Sequence, residues 1–222
     1  MRIVVIGANG ATGRLTVFEA LARGHEVVAF VRDSAQVTLT DPHLTVAQGD
    51  AFDPATVVAA LEGADAVISA IGPSHKGPSR KGGSRKGGSK QRDKGPFYAP
   101  AARVALDAMA ARGVKRLAVI SSQGVGEEPL QGLALPLRAF RLVVGRVMDD
   151  MRQMELLIEA SDTEWTITRP GGLTSKPKGG YIVCPGNSLR GHGSTPRADL
   201  AEVLVLAVTE ERWLRQKVIV AA

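Results

Sequence analysis

Gly7-Ala8-Asn9-Gly10-Ala11-Thr12-Gly13-Arg14 stands between an apolar β-branched run, Arg2 to Ile6, and a helix-forming stretch, Ala11 to Arg23. A glycine motif carries meaning only in this setting, with a strand before it and a helix after it. Gly7 permits the tight turn out of the strand. Gly10 lets a pyrophosphate approach the backbone, and Gly13 lets the helix pack closely against the strand. The backbone N–H groups of the first helical turn, with the positive end of the helix dipole behind them, attract phosphate. Asn9, Ala11, Thr12 and Arg14 complete the loop that would hold it.

Outward from this turn the chain alternates strands and helices. His25–Val31 reads as the second strand, Leu44–Ala47 as the third, Ala66–Ala70 as the fourth, Arg116–Ser121 as the fifth and Thr166–Arg169 as the sixth. Lys217–Val220 is a last short strand. Asp53-Pro54 is a cap followed by proline at the first helical position, opening a helix that runs to about Glu62. Pro100–Arg112 reads as a helix. Apolar residues at Leu137, Phe140, Val144, Val147, Met151, Met154 and Leu157 step by threes and fours and predict one long amphipathic helix. Thr195-Pro196 repeats the cap-and-proline signal before a helix ending near Thr209. This alternation predicts an α/β fold: a Rossmann-like, doubly wound parallel sheet with right-handed crossovers, a single domain over residues 1–222.

Composition agrees with that architecture. Of 222 residues 44% are hydrophobic and only 4% aromatic, so the core is built from Val, Leu, Ile and Ala, as in a sheet covered on both faces. The single cysteine, Cys184, allows no internal disulfide, which fits a reducing compartment. No signal peptide or membrane-length apolar run is visible, and the reading is a cytoplasmic protein, monomer or homodimer, without a membrane partner. The formal charge of +6 is uneven. Residues 73–96 hold eight Lys/Arg and one acid, which leaves 20 basic and 21 acidic residues elsewhere. Within that segment Lys76–Arg80, Lys81–Arg85 and Lys86–Lys90 are three copies of one pentapeptide. It reads as a flexible basic insertion. It lacks the interleaved aromatics of a nucleic-acid-binding segment, so a nucleic-acid partner is disfavoured.

The end of the second strand selects the cofactor. Phe30-Val31-Arg32-Asp33 places a guanidinium where a 2′-phosphate would lie, with Arg14 nearby, and favours NADP(H) over NAD(H). Asp33 is the residue that would instead serve a ribose hydroxyl.

The Gly-x-x-Gly-x-x-Gly spacing resembles the extended and atypical branches of the short-chain dehydrogenase/reductase superfamily. Ser121-Ser122-Gln123-Gly124, Glu164 to Leu173 and Arg197-Ala198-Asp199-Leu200-Ala201 extend the likeness to the NAD(P)H-binding atypical reductases, a group that includes biliverdin-IXβ reductase/flavin reductase and the NmrA-like proteins. The resemblance implies that Asp50-Ala51 meets the adenine, although Asp50 also suits a turn. Ala70-Ile71-Gly72, at the end of the fourth strand, would pass along the cofactor. Pro170-Gly171-Gly172-Leu173 would lie beside the nicotinamide. It makes Ser122 the active-site serine, with Ser121 as the neighbour that would serve instead. Two histidines of the biliverdin reductase pattern are replaced by Gly171-Gly172 and Met151.

The superfamily's Tyr-x-x-x-Lys pair is absent: four residues beyond Tyr98 and Tyr181 stand Ala102 and Pro185. Alcohol–ketone chemistry needs such a proton donor, whereas a flavin or tetrapyrrole takes hydride into a delocalised system and draws its proton from solvent. The expected function is therefore an NADPH-dependent reductase of a flavin or similar conjugated small molecule. The alternative is a non-catalytic NADP(H)-binding regulator of the NmrA type. The four scattered histidines suggest no metal site. Asp149, Arg152 and Glu155 read as a solvated ion-pair stripe in preference to a pocket lining.

Overall fold

The computed structural model describes residues 1–72, 95–125, 135–186 and 193–221, with side chains of the long fourth helix from Gly145 onward. The basic repeat and two of the four histidines, His75 and His192, lie outside the described residues, as do the side chains of Leu137, Phe140 and Val144 at the start of the long helix's apolar stripe.

Strand alternation builds two cores, one on each face of the sheet. In β1 (Arg2–Ile6), Val4 and Ile6 face one layer while Ile3 and Val5 face the other. The first layer is covered by α2 (Pro54–Ala60), α3 (Tyr98–Arg112) and α4 (Leu135–Glu159). The second is covered by α1 (Ala11–Ala22) and α5 (Arg197–Thr209). The remaining strands are β2 (Glu26–Val31), β3 (Leu44–Gln48), β4 (Ala66–Ser69), β5 (Arg116–Ile120), β6 (Glu164–Pro170), β7 (Gly172–Thr174), β8 (Ile182–Pro185), β9 (Ser194–Pro196) and β10 (Gln216–Ala221).

Eight strands form one sheet in the order β3-β2-β1-β4-β5-β6-β10-β8. All its pairings are parallel except that of β8 with β10. The order reverses between β1 and β4, which is where an open α/β sheet holds its ligand. The predicted α/β doubly wound sheet is the observed one, with element ends differing by at most two residues.

Three short strands were not foreseen. β7 and β9 pair in parallel as a two-stranded ribbon, and β8 closes the sheet edge. Their runs are three or four residues long and are broken by Gly and Pro, too short for a period to register. Thr195 also differs from its reading as a helix cap. It lies in β9, donates its hydroxyl to the Val220 carbonyl at 2.6 Å and accepts the Gly171 N–H at 3.0 Å, while Pro196 is the N-cap of α5.

Candidate active site at the carboxyl edge of the sheet

The loop after β1 has the geometry of a phosphate cradle. Gly7 has φ +82°, and a Cβ there would meet the Ala70 carbonyl oxygen at 2.9 Å. Only glycine fits both the backbone angle and the approach. At Gly13 a Cβ would stand 2.9 Å from Ala8 Cα and closer still to the Gly7 oxygen, so the helix rests directly on the turn. Three other helices with described first turns have an acid at the N-terminus. Asp53 caps α2, Asp150 accepts from Phe97, Tyr98 and Ala99 at the start of α3, and Asp199 occupies the first turn of α5. α1 has neither a capping side chain nor an acidic residue there. Its Gly10 and Ala11 are exposed. The first-turn N–H groups that acidic side chains meet in those helices have no side-chain cap in α1, an arrangement that suits an anion.

Beside the cradle a chain of side chains ties α1 to the end of β2. The Arg14 guanidinium donates to Asn9 Oδ1 at 2.8 and 3.1 Å and to the Gln36 carbonyl at 3.4 Å. Asn9 in turn donates to Gln36 Oε1 at 3.4 Å, and Gln36 Nε2 donates to Asp33 at 2.6 Å. Asp33 also caps the short 3-10 turn Ser34–Gln36 through the Ala35 N–H at 3.2 Å. The carboxylate that would serve a ribose is thus engaged in its own turn. Arg32 stands exposed next to it.

Asp50 is half-buried and accepts the Phe52 N–H at 3.1 Å, so it does act as a turn residue; Ala51 packs against the core. Ala70 is buried under Gly7, Ile71 packs on the same core as Ala51, and Gly72 is exposed with open space around it.

The loops after β5 and β6 are stitched together. Ser121 N–H bonds the Thr168 carbonyl at 2.8 Å, and Gln123 N–H bonds the Pro170 carbonyl at 3.1 Å. Between them opens a pocket of about 410 Å³ lined by Ser122, Gln123, Pro170, Gly171, Gly172, Gly193 and Ser194. Leu173, half-buried, continues into β7 and packs on the α1/α5 side of the sheet. The two serines part company here. Ser122 lines the pocket and donates to the neighbouring Gln123 carbonyl at 3.2 Å. Ser121 is buried and donates to Glu155 Oε1 at 2.6 Å.

Glu155 is 2% exposed, not part of a solvated stripe. Arg169 grips both its oxygens, at 3.0 and 2.5 Å, and Lys217 Nζ lies 3.8 Å away. The counter-charge comes from β6, fourteen residues along the chain, which helical spacing alone does not reveal. Sequence reasoning also passed over Gln123, Gly193 and Ser194 as pocket residues. The Gln123 name stood in the Ser121–Gly124 motif, but nothing in its type marked it.

Neither tyrosine belongs to this pocket. Burial, with the Asp150 charge adding to it, raises the Tyr98 phenol above its ordinary value; burial and Glu202 do the same for Tyr181. Cys184 is half-buried on β8. Among the described residues no cluster of metal-ligating side chains occurs and no helix is long and apolar enough to cross a membrane.

A profile of the NAD(P)H-binding family matches residues 7–211, from the first glycine of the cradle to the end of α5 and just beyond. The chain belongs to the NAD(P)H-binding family. The residues fit that membership: the cradle that a Cβ would fill, the uncapped helix and the two arginines suit a nicotinamide dinucleotide. An uncharacterized chloroplastic protein of Arabidopsis thaliana is 29% identical over 215 residues, 95% of this chain and 72% of that protein. A photosystem II assembly factor of Synechocystis is 39% identical over 71 residues, 32% of this chain and 22% of that one. Among solved structures, the anaerobilin reductase ChuY of Escherichia coli O157:H7 superposes with a TM-score of 0.76 at 24% identity, covering 100% of this chain and 97% of its own. A wide-type short-chain dehydrogenase/reductase of Veillonella parvula, solved with NADP, gives 0.77 at 18% identity over 100% and 94%. At these identities the structural likeness is one of fold.

Proposed function

We propose that the chain is an NADPH-dependent reductase of a flavin or similar conjugated small molecule. The observation that carries this reading is the pocket at the ends of β5 and β6, whose lining among the described residues is a proline, glycines, two serines and an amide, with no acid, histidine, lysine or tyrosine. These residues can position a flat acceptor, and among the described ones none matches the Tyr–Lys pair that exchanges a proton with an alcohol. The order of loops supports the rest. Arg32 ends β2, the cradle ends β1, Ala70–Gly72 ends β4, and the pocket lies at β5 and β6. Four strand spacings, roughly 19 Å, separate β2 from β6, a span that suits an extended dinucleotide with its adenosine end at Arg32.

In this reading the N-terminus of α1 and the Gly7–Gly13 backbone hold the pyrophosphate. Arg32 and Arg14 hold the 2′-phosphate, Asp50 and Ala51 border the adenine, and Ala70–Gly72 line the path between. Pro170–Leu173 and Ser122 orient the reacting rings. The nicotinamide supplies hydride when bound; the acceptor gains that hydride and one solvent proton. Ser121 holds the β5 end in place through Glu155. What these residues contribute is orientation and exclusion of water.

The test is NADPH oxidation with FMN, riboflavin or dichlorophenolindophenol as acceptor. Turnover that falls when Ser122 is replaced by alanine supports the proposal. Tight NADPH binding with no turnover of any acceptor would transfer the protein to the alternative role, an NADP(H)-binding regulator, which the missing Tyr–Lys pair also suits.

A further inference from the structure

Arg14 leaves the first turn of α1 and ends at the loop after β2. Its Nε and Nη2 both donate to Asn9 Oδ1, at 3.1 and 2.8 Å, and Nη2 also reaches the Gln36 carbonyl at 3.4 Å. Gln36 closes the 3-10 turn that begins two residues after Arg32. Two guanidiniums from separate elements are thereby brought to one loop.

Asn9 is the joint of this arrangement. Its amide works on both sides: Oδ1 takes the arginine, while Nδ2 donates to Gln36 Oε1 at 3.4 Å. Gln36 is itself anchored, with Nε2 donating to Asp33 Oδ2 at 2.6 Å. The acceptors that hold Arg14 among the described residues are neutral, an amide and a peptide oxygen, so its charge is aimed without being cancelled. Nη1 carries none of these bonds and offers its two N–H groups to an anion. Folding gains little from such exposed contacts. An arginine on an open helix turn otherwise samples many rotamers, and a ligand that immobilises it must offset that entropy. Here the side chain is ordered before the ligand arrives.

We propose that Asn9 is a positioning residue for cofactor choice: acting through Arg14, it pre-orders a second guanidinium, in addition to Arg32, for the phosphate monoester on the adenosine ribose. This rests on the reading of the end of β2 as the 2′-phosphate site, and it concerns binding, not turnover.

The experiment uses the full chain and measures NADP and NAD binding by calorimetry in the native protein, Asn9→Ala, Arg14→Ala and the double variant. Asn9 does not have a left-handed backbone angle, so alanine fits its place. Asn9→Ser serves if the alanine protein does not fold. Asn9→Ala should cut the preference for NADP about threefold, toward the low end of what ordering one long side chain costs at binding. The loss should fall on NADP, and the melting midpoint without ligand should stay within about 2 °C of the native one. Arg14→Ala should cut the preference at least as far. Adding Asn9→Ala to it should change nothing further, because Asn9 acts through the arginine. An additive loss in the double variant overturns the proposal, as does an equal loss of NADP and NAD, which would place these side chains on the pyrophosphate. An undiminished preference in Asn9→Ala also overturns it, and in that case the NADP reading itself stands. Native protein that binds both cofactors alike removes the 2′-phosphate reading and the proposal with it.

Discussion

A Cβ at Gly10 would lie 3.3 Å from the Gly7 carbonyl oxygen, with nothing else nearer than 3.9 Å, and Gly10 is exposed. The same atom at Gly13 would overlap that oxygen. The two glycines therefore answer to different demands. Gly10→Val should fold with a near-native melting curve and lose NADPH binding, because the side chain occupies the pyrophosphate's place. Gly13→Val should lose stability first, by about 1–3 kcal/mol or more, since the helix must lift off the turn. Circular dichroism melting together with NADPH fluorescence separates the two; a Gly10→Val protein that still enhances that fluorescence would remove the phosphate site from this loop. Arg32 belongs to the same scale. Its charge has no role in the core, so Arg32→Ala should weaken NADP binding about tenfold or more, the worth of a charge-assisted contact, and leave NAD binding as it was. Calorimetry with both cofactors decides it, and an unchanged preference between them would place the 2′-phosphate elsewhere.

Elements are tied to one another by two carboxylates of α4, and these were the least legible part of the chain. Asp150 and Glu155 lie in a run whose spacing, Asp149, Arg152, Glu155, looks like an exposed stripe. Glu155 is instead buried against Arg169 of β6, and Asp150 caps α3 across 52 residues of sequence. The start of α3 lies two residues ahead of where the sequence places it for the same reason: its cap is not local, so no Ser, Thr, Asp or Asn directly precedes Tyr98 to announce it. By contrast β1, α1 and their turn were readable because the glycine spacing, strand and helix constrain one another within some twenty residues. Serine roles fell between these cases. Two adjacent serines in an extended segment must face opposite sides, but which side holds the pocket depends on β6. Asp150→Ala should cost about 1–2 kcal/mol by unfolding in urea, the usual worth of a cap. Glu155→Ala should cost about 3–5 kcal/mol, because the Arg169 charge is left buried beside it. Equal, small losses for both would mean that α4 is not the brace between α3 and β6.

At the scale of the whole molecule, the site is a property of strand order more than of any one loop. Within the run β3-β2-β1-β4-β5-β6 each strand lies beside its sequence neighbour except at the step from β3 to β4, where β4 crosses to the other side of β1, and that crossing opens the edge where five loops meet. A ligand laid across β2, β1, β4, β5 and β6 touches elements from both layers and so stabilises the fold as a unit. NADP at a hundred times its dissociation constant should add about 2.7 kcal/mol to the native state. For a chain of this size each kcal/mol is worth about 2–4 °C, so the midpoint should rise by about 5–10 °C. NAD at the same concentration, if bound tenfold more weakly, is at only about ten times its dissociation constant; it should add about half as much, and a midpoint rise of about 3–6 °C. Removing Arg32 should bring the NADP shift down to the NAD shift, not abolish it, because the pyrophosphate cradle is untouched. Thermal melts of the native and Arg32→Ala proteins with each cofactor measure all four values. Equal shifts for NADP and NAD in the native protein would contradict the assignment of Arg32. No shift with either would contradict the binding of a dinucleotide across the carboxyl edge.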